Sequence, residues 1–306
     1  MLLKLSLLLP LWASTSISCA APTTPTELLP RSVASQQPQL VHNSPTWLYR
    51  GDLRDPEQLK AAGGFLPRSR LPSKDTSFGL YNHGEAVGDA GGVRETIYSS
   101  TSASFVTAGA YIKTDSLYTS SVGGWIYRIR PTPNMIDLEA SLGPGSPFPH
   151  DKEFSAMGGI LWEQVDGWIF VTVEKDLDPL PPVDAMEIDV TAAEEVFNSL
   201  SDRYITNKDY NLEFDRFKAS GGRPELAGFF AAAGKFKNQE PWSRYNESTE
   251  YYAMRFMEEN GESVGWHGSF PLFGQLDVSA GNVDKEPEPN KGDDGIGKGD
   301  DKQDGN

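Results

Sequence analysis

The chain contains a single cysteine, Cys19, and the position of this residue limits how the rest can fold. Cys19 lies in residues 1–20, a segment with one early lysine, an apolar run and a small-residue end. These features are typical of a secretory signal peptide, and the run is too short to span a bilayer. Once this segment is removed, we expect no disulfide and no cysteine nucleophile. The fold must therefore depend on a hydrophobic core.

Composition sets two polar ends apart from the folded part of the chain. Residues 21–44 are rich in Pro, Thr, Ser and Gln without an apolar period, which predicts a disordered leader. Residues 284–306 contain one apolar side chain, Ile296, and predict an acidic disordered tail. The sequence between these ends is long enough to form a sizeable core.

Charge narrows the classes of partner. The chain has 43 acidic and 27 basic residues and a net charge of −16. This balance disfavours a broad electrostatic contact with nucleic acid or anionic lipid. No apolar stretch after the signal peptide reaches membrane-spanning length. We therefore expect a secreted protein with no membrane-spanning segment. A nucleic-acid partner is disfavoured, although a nucleic acid held as a substrate in a local groove stays open.

Short apolar segments separated by Gly and Pro turns make up the central sequence. Asp55-Pro56-Glu57 supplies a helix cap, a proline at the first helical position and an early acid. Predicted strands cover 47–50, 96–100, 124–129, 153–157 and 168–173, and predicted helices cover 55–62, 102–112 and 191–200. Mixed content with irregular spacing predicts an α+β fold rather than a doubly wound sheet.

Common catalytic motifs are absent from the sequence. It has no GxSxG, no HExxH, no P-loop and no GxGxxG opening a helix. The four histidines, His42, His83, His150 and His267, lack the spacing of metal ligands. We therefore expect neither a metal site nor a catalytic triad.

An ordered series of short strings runs from Trp47 to Trp242. In chain order they are Leu48-Tyr49-Arg50-Gly51-Asp52, Gly63-Gly64-Phe65-Leu66-Pro67-Arg68, Leu80-Tyr81-Asn82-His83, Tyr98-Ser99-Ser100-Thr101-Ser102, Pro133-Asn134-Met135, Ser155-Ala156-Met157-Gly158-Gly159-Ile160, Leu226-Ala227-Gly228-Phe229 and Glu240-Pro241-Trp242. Their joint order resembles the catalytic A chain of the heat-labile enterotoxin and cholera toxin family of mono-ADP-ribosyltransferases. The resemblance implies an ADP-ribosyltransferase fold, in which mixed short-stranded sheets form an NAD cleft with flanking helices. It assigns 45–250 to a catalytic domain and 251–283 to a C-terminal extension.

The resemblance implies a secreted, toxin-like enzyme that moves ADP-ribose from its substrate NAD to an arginine of a host protein. Breaking the bond between nicotinamide and ribose creates an oxocarbenium-like state, which a nearby carboxylate stabilises. We predict Glu153 for this role. Asp151, two positions earlier, would face the same cavity if the chain is extended. It would orient the guanidinium of the acceptor and partly deprotonate it.

Five further residues complete the predicted site. Arg50 would hold the NAD pyrophosphate or brace the site, since its planar fork suits phosphate oxygens. Ser100 would orient Glu153 through a hydrogen bond. His83 lies in a Gly-rich stretch that we interpret as a mobile cover over the nicotinamide pocket. Asp52, Arg50, Ser100 and Thr101 are predicted with His83 as NAD contacts.

Each of these assignments has a simpler alternative. Asp151 as a solvated turn acid, His83 as an ordinary loop histidine and Ser100 as an ordinary strand serine all remain open. Arg50 is alternatively an exposed arginine, and Arg50-Gly51-Asp52 spells an integrin-type tripeptide. Three alternative functions also remain: an NAD glycohydrolase, a guanine-directed transferase of the same fold, and a catalytically silent secreted binding effector.

The sequence departs from the family pattern in three places. It has Asp151-Lys152-Glu153 where the family has Glu-x-Glu. It cannot form the disulfide that holds the nicked A chain of the family, so we expect activity to be indifferent to reducing agents. No long A2-type helix follows Trp242, which leaves no basis for predicting a B-subunit partner. Residues 183–201 resemble an insertion.

Overall fold

The computed structural model of the protein describes residues 44–67, 72, 74–85, 95–177, 199–229 and 234–273. All of these residues lie in one compact unit of the chain. Within the described ranges, no helix is both long enough and apolar enough to cross a membrane.

A seven-stranded sheet with antiparallel neighbours forms the centre of the described structure. The strands are β1 Leu48–Asp52, β2 Gly64–Phe65, β3 Tyr98–Ser102, β4 Gly123–Ile129, β5 Met135–Asp137, β6 Glu153–Met157, β7 Ile160–Leu161, β8 Val165–Thr172 and β9 Ile205–Thr206. Their order in the large sheet is β5-β6-β3-β1-β4-β8-β9, and β2 pairs with β7 separately. Arg50-Gly51-Asp52 therefore lies in a central strand, not in the protruding loop that an adhesive tripeptide requires.

Short helices flank the sheet. They are α1 Pro56–Ala61, α2 Leu80–Gly84, α3 Phe105–Thr119, α4 Leu138–Leu142, α5 Gly234–Lys237 and α6 Thr249–Asn260. The start of α1 is as predicted: the Asp55 side chain accepts from the Gln58 amide, the Gln58 side chain accepts from the Asp55 amide, and Pro56 is the first helical residue. The mixture of short helices with antiparallel strands confirms the α+β class.

The buried side chains form three clusters around the sheet. The first contains Phe105, Ala108 and Ile112 of α3 packed on β1, β4 and β8. The second lies on α1, β2 and the neighbouring strands, and the third joins α2, α4, β3 and α6. Strands β3 and β6, which carry Ser100, Thr101 and Glu153 of the predicted site, contribute buried side chains to two of these clusters. This packing holds the strands in place.

Several predicted boundaries differ from the structure. The segment 96–100 becomes a strand only at Tyr98, and α3 begins at Phe105 because the Ser104 hydroxyl caps the helix by accepting from the Thr107 amide. The strand predicted at 153–157 is β6 without change. Most of the predicted helix 191–200 and most of the predicted insertion 183–201 lie outside the described residues.

The C-terminal part of the described chain packs into the same core as the strands. The predicted boundary at residue 250 falls inside α6, which spans Thr249–Asn260. Ala253, Phe256 and Met257 of α6 join the cluster that contains Tyr98 of β3. The division between 45–250 and 251–283 is therefore not a division in packing.

Candidate active site

Glu153 is the first residue of β6, and its carboxylate is held by hydrogen-bond donors from three elements. The Ser155 hydroxyl donates to Oε1 at 2.9 Å, and Nε2 of His83 lies 2.9 Å from the same oxygen. The side chain is 11% exposed. Burial by itself raises the pKa of this carboxyl, but the charge and hydrogen bond of His83, with the hydroxyls of Ser155 and Ser100, outweigh it and lower the pKa. Glu153 is therefore an ionised carboxylate in a buried position.

His83 is fixed from both ring nitrogens. Its Nδ1 lies 2.8 Å from the Thr96 hydroxyl, which also accepts from the Tyr98 amide. The Thr96 hydroxyl can donate to Nδ1 of a neutral ring, which leaves the ring proton on Nε2. In a protonated ring Nε2 carries a proton as well. In both states Nε2 donates towards Glu153.

The prediction that His83 belongs to a mobile loop over the nicotinamide pocket is wrong. The residue lies in α2, Leu80–Gly84, with its side chain 8% exposed and its ring 5.3 Å from the Tyr98 ring. The helix is short, but all five of its residues are buried. His83 is thus a buried support of Glu153. The glycines at 88, 91 and 92 that suggested a cover lie outside the described residues.

Ser100 meets the same cluster from β3. Its hydroxyl lies 3.0 Å from Nε2 of His83 and also hydrogen-bonds Glu153, contributing to the lowered pKa of that carboxyl. The register of β3 and β6 pairs Ser100 with Ser155 and Ser102 with Glu153. Alternation along the two strands therefore places all four residues on one face.

Arg50 reaches the cluster from the neighbouring strand β1. Its Nη1 donates to the Ser100 main-chain oxygen at 2.6 Å, and its guanidinium lies 5.1 Å from the centre of the Phe65 ring. Nε lies 3.7 Å from a carboxylate oxygen of Asp52. The guanidinium is thus braced on three sides, and its cationic charge is placed beside the Glu153 region.

Asp52 and Thr101 have other main contacts. Burial raises the pKa of Asp52, but hydrogen bonds from Arg54 and the charges of Arg50 and Arg54 lower it overall. The Thr101 hydroxyl donates to the Phe154 main-chain oxygen at 2.6 Å across β3 and β6. The structure therefore does not bring the Thr101 side chain into the cluster around Glu153. Asp52 contacts Arg54 and the guanidinium of Arg50.

Asp151 is near Glu153 for a different reason from the one predicted. It ends a 3-10 turn, Pro149–Asp151, and Lys152 then has φ of 49°, so the two acids are not alternate residues of one strand. The turn is held because the Ser102 hydroxyl donates to the Asp151 main-chain oxygen at 2.6 Å. The left-handed residue turns the chain between the acids, and the charge of Glu153 still acts on the Asp151 carboxyl.

The Asp151 carboxyl has a perturbed pKa. Its side chain is 5% exposed, and its Oδ2 accepts from the Tyr111 hydroxyl at 2.6 Å. Burial raises the pKa of Asp151 to about 6, with a further increase from Glu153, while the Tyr111 hydrogen bond and His150 act in the opposite direction. Asp151 is therefore not the solvated turn acid of the simpler alternative. Its carboxyl changes charge near neutral pH.

Three residues contribute to this site but are not among the residues predicted from the sequence: Ser155, Thr96 and Tyr111. Ser155 could have been found, since it follows Glu153 by two positions on a strand and must share its face. Thr96 and Tyr111 are 13 and 40 residues from their partners, and no local pattern connects them. In the part of the chain that is described, no group of three or more His, Cys, Asp or Glu is placed to hold a metal ion.

Comparison with known proteins places the chain in a family. A match to the heat-labile enterotoxin alpha chain family covers residues 37–263. The chain belongs to the heat-labile enterotoxin alpha chain family. It is 35% identical over 242 residues to the A chain of cholera enterotoxin from Vibrio cholerae serotype O1, which covers 71% of this chain and 83% of that protein. The family resemblance predicted from the short strings is confirmed.

Other relatives match over a shorter region. The chain is 36% identical over 126 residues to the heat-labile enterotoxin A chain of Escherichia coli, covering 40% of this chain and 48% of that one. It is 33% identical over 127 residues to the NAD(+)–arginine ADP-ribosyltransferase Chelt of Vibrio cholerae, covering 40% of this chain and 21% of that one. The matched region thus spans less than half the length of these two relatives.

A solved structure supports the same fold. A double mutant of heat-labile enterotoxin superposes with a TM-score of 0.51 at 26% identity, covering 71% of this chain and 92% of that one. Together with the antiparallel sheet and flanking helices, this likeness confirms the ADP-ribosyltransferase fold. The cluster around Glu153 therefore lies within the region that matches the enterotoxin A chains.

Proposed function

We propose that this protein is a secreted, toxin-like mono-ADP-ribosyltransferase that transfers ADP-ribose from NAD to an arginine side chain of a host protein. The observation that carries the proposal is the buried Glu153 carboxylate, which His83, Ser100 and Ser155 keep ionised. A buried, preorganised negative charge is suited to a cationic transition state. The apolar run of residues 1–20 supports secretion.

In the first step, the bond between ribose C1′ and the nicotinamide nitrogen breaks. Both bonding electrons leave with nicotinamide, which becomes neutral, and positive charge develops on the ribose ring. Glu153 stabilises this charge, because its carboxylate is already oriented by three donors and needs no reorganisation. His83 and Ser155 both contact Oε1, so these two contacts fix the carboxylate through one oxygen and do not occupy Oε2.

In the second step, a guanidinium nitrogen of the acceptor forms a new bond to C1′. The nitrogen loses one proton, which passes to the Asp151 carboxylate and then to solvent, and the modified guanidinium stays cationic. Asp151 is suited to this transfer, since a group with a pKa of about 6 can accept a proton and release it near neutral pH. Asp151 therefore acts on the acceptor, and Glu153 acts on the ribose.

Arg50 contributes positive charge to the NAD side of the site. Its guanidinium is held by the Ser100 main chain and by Asp52, so it presents a fixed charge to the pyrophosphate of NAD or to the carboxylates. The bond to Ser100 couples Arg50 to the strand that carries the support of Glu153. Arg50 thus helps to hold NAD and also holds the geometry of β1 relative to β3.

The decisive experiment measures nicotinamide release and agmatine modification by the purified protein with etheno-NAD and NAD. Agmatine carries the guanidinium of arginine, so modification of agmatine supports the proposal. Nicotinamide release without agmatine modification would favour the NAD glycohydrolase, and labelling of a guanine base would favour the guanine-directed enzyme. A protein that binds NAD but releases no nicotinamide would be the catalytically silent effector. Biotin-labelled NAD in a cell lysate would then locate the modified residue.

A further inference from the structure

Tyr111 occupies a position that neither the reaction nor the motif accounts for. Its hydroxyl donates to Oδ2 of Asp151 at 2.6 Å, from the second turn of α3. Burial raises the pKa of Tyr111 well above the ordinary tyrosine value, and the charges of Asp151 and Glu153 raise it further, whereas Arg50 acts in the opposite direction. The phenol therefore keeps its proton and remains a donor. It lies within electrostatic reach of Asp151, Glu153 and Arg50.

The helix that carries Tyr111 is rigidly seated. A Cβ atom added at Gly51 of β1 would lie 2.2 Å from the main-chain oxygen of Ala108, so α3 touches the strand directly. The Phe105 ring packs edge to face on Tyr49 of β1, with 5.6 Å between the ring centres. The Tyr111 hydroxyl is thus fixed relative to β1.

The main chain of Asp151 is fixed as well. The Ser102 hydroxyl holds its oxygen, and the Lys152 main-chain oxygen accepts from the Ala103 amide at 3.0 Å. What these contacts leave undetermined is the rotation of the carboxylate. The Tyr111 bond to Oδ2 fixes that rotation, while Oδ1 receives no hydrogen bond from any described residue. Oδ1 is thus the oxygen that can accept from a guanidinium.

We propose that Tyr111 is a positioning residue for the acceptor, and that Tyr111 and Asp151 form one matched unit that replaces a single longer acid. The inference rests on the proposed function, because it assigns the partner of the acceptor-side carboxylate. An Asp places its carboxylate one methylene closer to the main chain than a Glu does. The phenol occupies the space beyond that carboxylate and determines which of its oxygens faces the substrate.

The matched unit limits the size of the acid at position 151. A glutamate there would extend the carboxylate by about 1.5 Å, the length of a carbon–carbon bond. The Tyr111 oxygen already lies 2.6 Å from Oδ2, which is full hydrogen-bond contact. The longer acid would therefore collide with the phenol or turn away from it. Restoring the family motif at this position alone should harm the enzyme.

The first test is Tyr111→Phe, which removes the hydroxyl and retains the ring. We expect agmatine transfer to fall about 10-fold, as when one charge-assisted hydrogen bond that orients a reacting group is lost. Nicotinamide release without an acceptor should stay within about 3-fold, since Glu153 is untouched. In the Asp151→Asn background, Tyr111→Phe should have little further effect, because the two residues act as one unit.

A matched control is Tyr204→Phe. The Tyr204 hydroxyl also donates to a carboxylate, Asp166, at the β8 edge of the sheet, and it belongs to none of the proposed machinery. Its removal should leave the ratio of transfer to hydrolysis unchanged. An equal change in both variants would assign the effect of Tyr111→Phe to general loss of stability and would overturn the positioning role.

The second test uses the length of the acid at position 151. Asp151→Glu alone should reduce agmatine transfer, and adding Tyr111→Phe should restore part of it, because the phenol oxygen no longer occupies the space. If Tyr111 only supported the fold, each substitution would lower agmatine transfer independently, and the double variant would be less active than either single variant. Accumulating losses would therefore contradict the matched unit.

The third test does not depend on catalysis. The groups that face the Asp151 carboxyl are Tyr111 on α3, Glu153 on β6 and His150 on its own turn. Since the Tyr111 hydrogen bond lowers the pKa of Asp151, Tyr111→Phe should raise it, as measured by carbon NMR of labelled aspartate. Failure of the wild-type protein to modify agmatine would count against the proposed function, whereas an unchanged Asp151 pKa would overturn the Tyr111 unit by itself.

Discussion

His83 on α2 holds Glu153 on β6 through a single ring nitrogen, with 2.9 Å between Nε2 and Oε1. Both side chains are almost fully buried, at 8% and 11% exposure. Burial opposes the charge of Glu153, so the carboxylate depends on its donors to stay ionised. In the proposed mechanism, His83 therefore acts on the reaction through the charge state and orientation of Glu153.

Replacing His83 by alanine should move the acid limb of NAD hydrolysis to higher pH. The lowered pKa of Glu153 means that its contribution to stability is present above the ordinary glutamate pKa and is lost as pH falls through the folded pKa. Without His83 the effect of burial dominates, the pKa rises, and protonation begins at higher pH. Nicotinamide release between pH 3 and 8 measures the limb, and the rate at pH 7.5 should fall about 10-fold.

His267→Ala is the matched control for this experiment. His267 is exposed and is distant in sequence from the site elements. It should leave both the rate and the acid limb unchanged. A His83→Ala protein that loses activity without any shift of the limb would show that His83 acts only by filling space.

Glu153→Gln should remove NAD hydrolysis and agmatine transfer together, each by about 100-fold or more. Glutamine has the same shape but no charge, so the loss reports stabilisation of the oxocarbenium-like state. NAD binding, measured by calorimetry, should change far less than the rate. Retained hydrolysis in a folded Glu153→Gln protein would exclude Glu153 as the stabilising carboxylate.

The sequence predicts best those helices and strands whose ends are set by residues next to them in the chain. Helix α1 has its cap and proline within the chain segment itself, and β6 is bounded by turns. Helix α3 was predicted too short, ending at Ile112 instead of Thr119. Beyond Ile112 the helix contacts the turn Val173–Leu177, where Nζ of Lys113 donates to the Leu177 main-chain oxygen at 3.5 Å. Such contacts belong to tertiary structure, and no periodicity of the segment reveals them.

The site residues likewise divide into those that could be predicted from nearby sequence or from the family resemblance and those that depend on long-range contacts. Arg50, Ser100 and Glu153 lie together and came from the family resemblance, not from their spacing. Asp151 does not lie on the predicted strand with Glu153, because Lys152 adopts a left-handed conformation that turns the chain between the two acids. Tyr111 could not be predicted, since it joins Asp151 across 40 residues of sequence.

Helix α6 should contribute to the stability of the catalytic scaffold. Phe256 is 3% exposed and packs in the cluster that contains Tyr98 of β3, so Phe256→Ala should cost about 3–5 kcal/mol in the free energy of unfolding. Tyr251→Ala, on the exposed side of the same helix at 44% exposure, should cost less than about 1 kcal/mol. Urea denaturation measures both. Equal small losses would indicate that α6 is dispensable to the core.

Truncation after Asp277 tests the composition argument for the acidic tail. Residues 284–306 contain one apolar side chain and can bury little surface, so Tm should stay within about 2 °C of that of the full chain. Truncation after Glu250, which removes most of α6, should instead lower Tm strongly. Differential scanning calorimetry of the two proteins decides whether the folded part ends before or after α6.

Asp151→Asn should separate the two activities, because only one of them needs a base for the acceptor. Transfer to agmatine should fall about 100-fold or more, since asparagine cannot take the guanidinium proton. Nicotinamide release should remain within about 3-fold, since water needs less orientation than a guanidinium does. In the wild-type protein the same reasoning makes transfer, but not hydrolysis, fall as pH drops below the Asp151 pKa of about 6. Equal loss of both activities in Asp151→Asn would end the division of roles between the two acids.

The same substitution should stabilise the protein at neutral pH. Because burial raises the pKa of Asp151 to about 6, its contribution to stability is present below the ordinary aspartate pKa and is lost as pH rises through about 6. The charged carboxylate therefore costs stability at pH 7.5, whereas asparagine is neutral and can still accept the hydrogen bond of Tyr111. We expect Asp151→Asn to gain about 2–3 kcal/mol at pH 7.5 and less than about 1 kcal/mol at pH 4. Urea denaturation at the two pH values measures the difference. A gain that is the same at both would contradict the raised pKa, because a neutral effect of packing does not depend on pH.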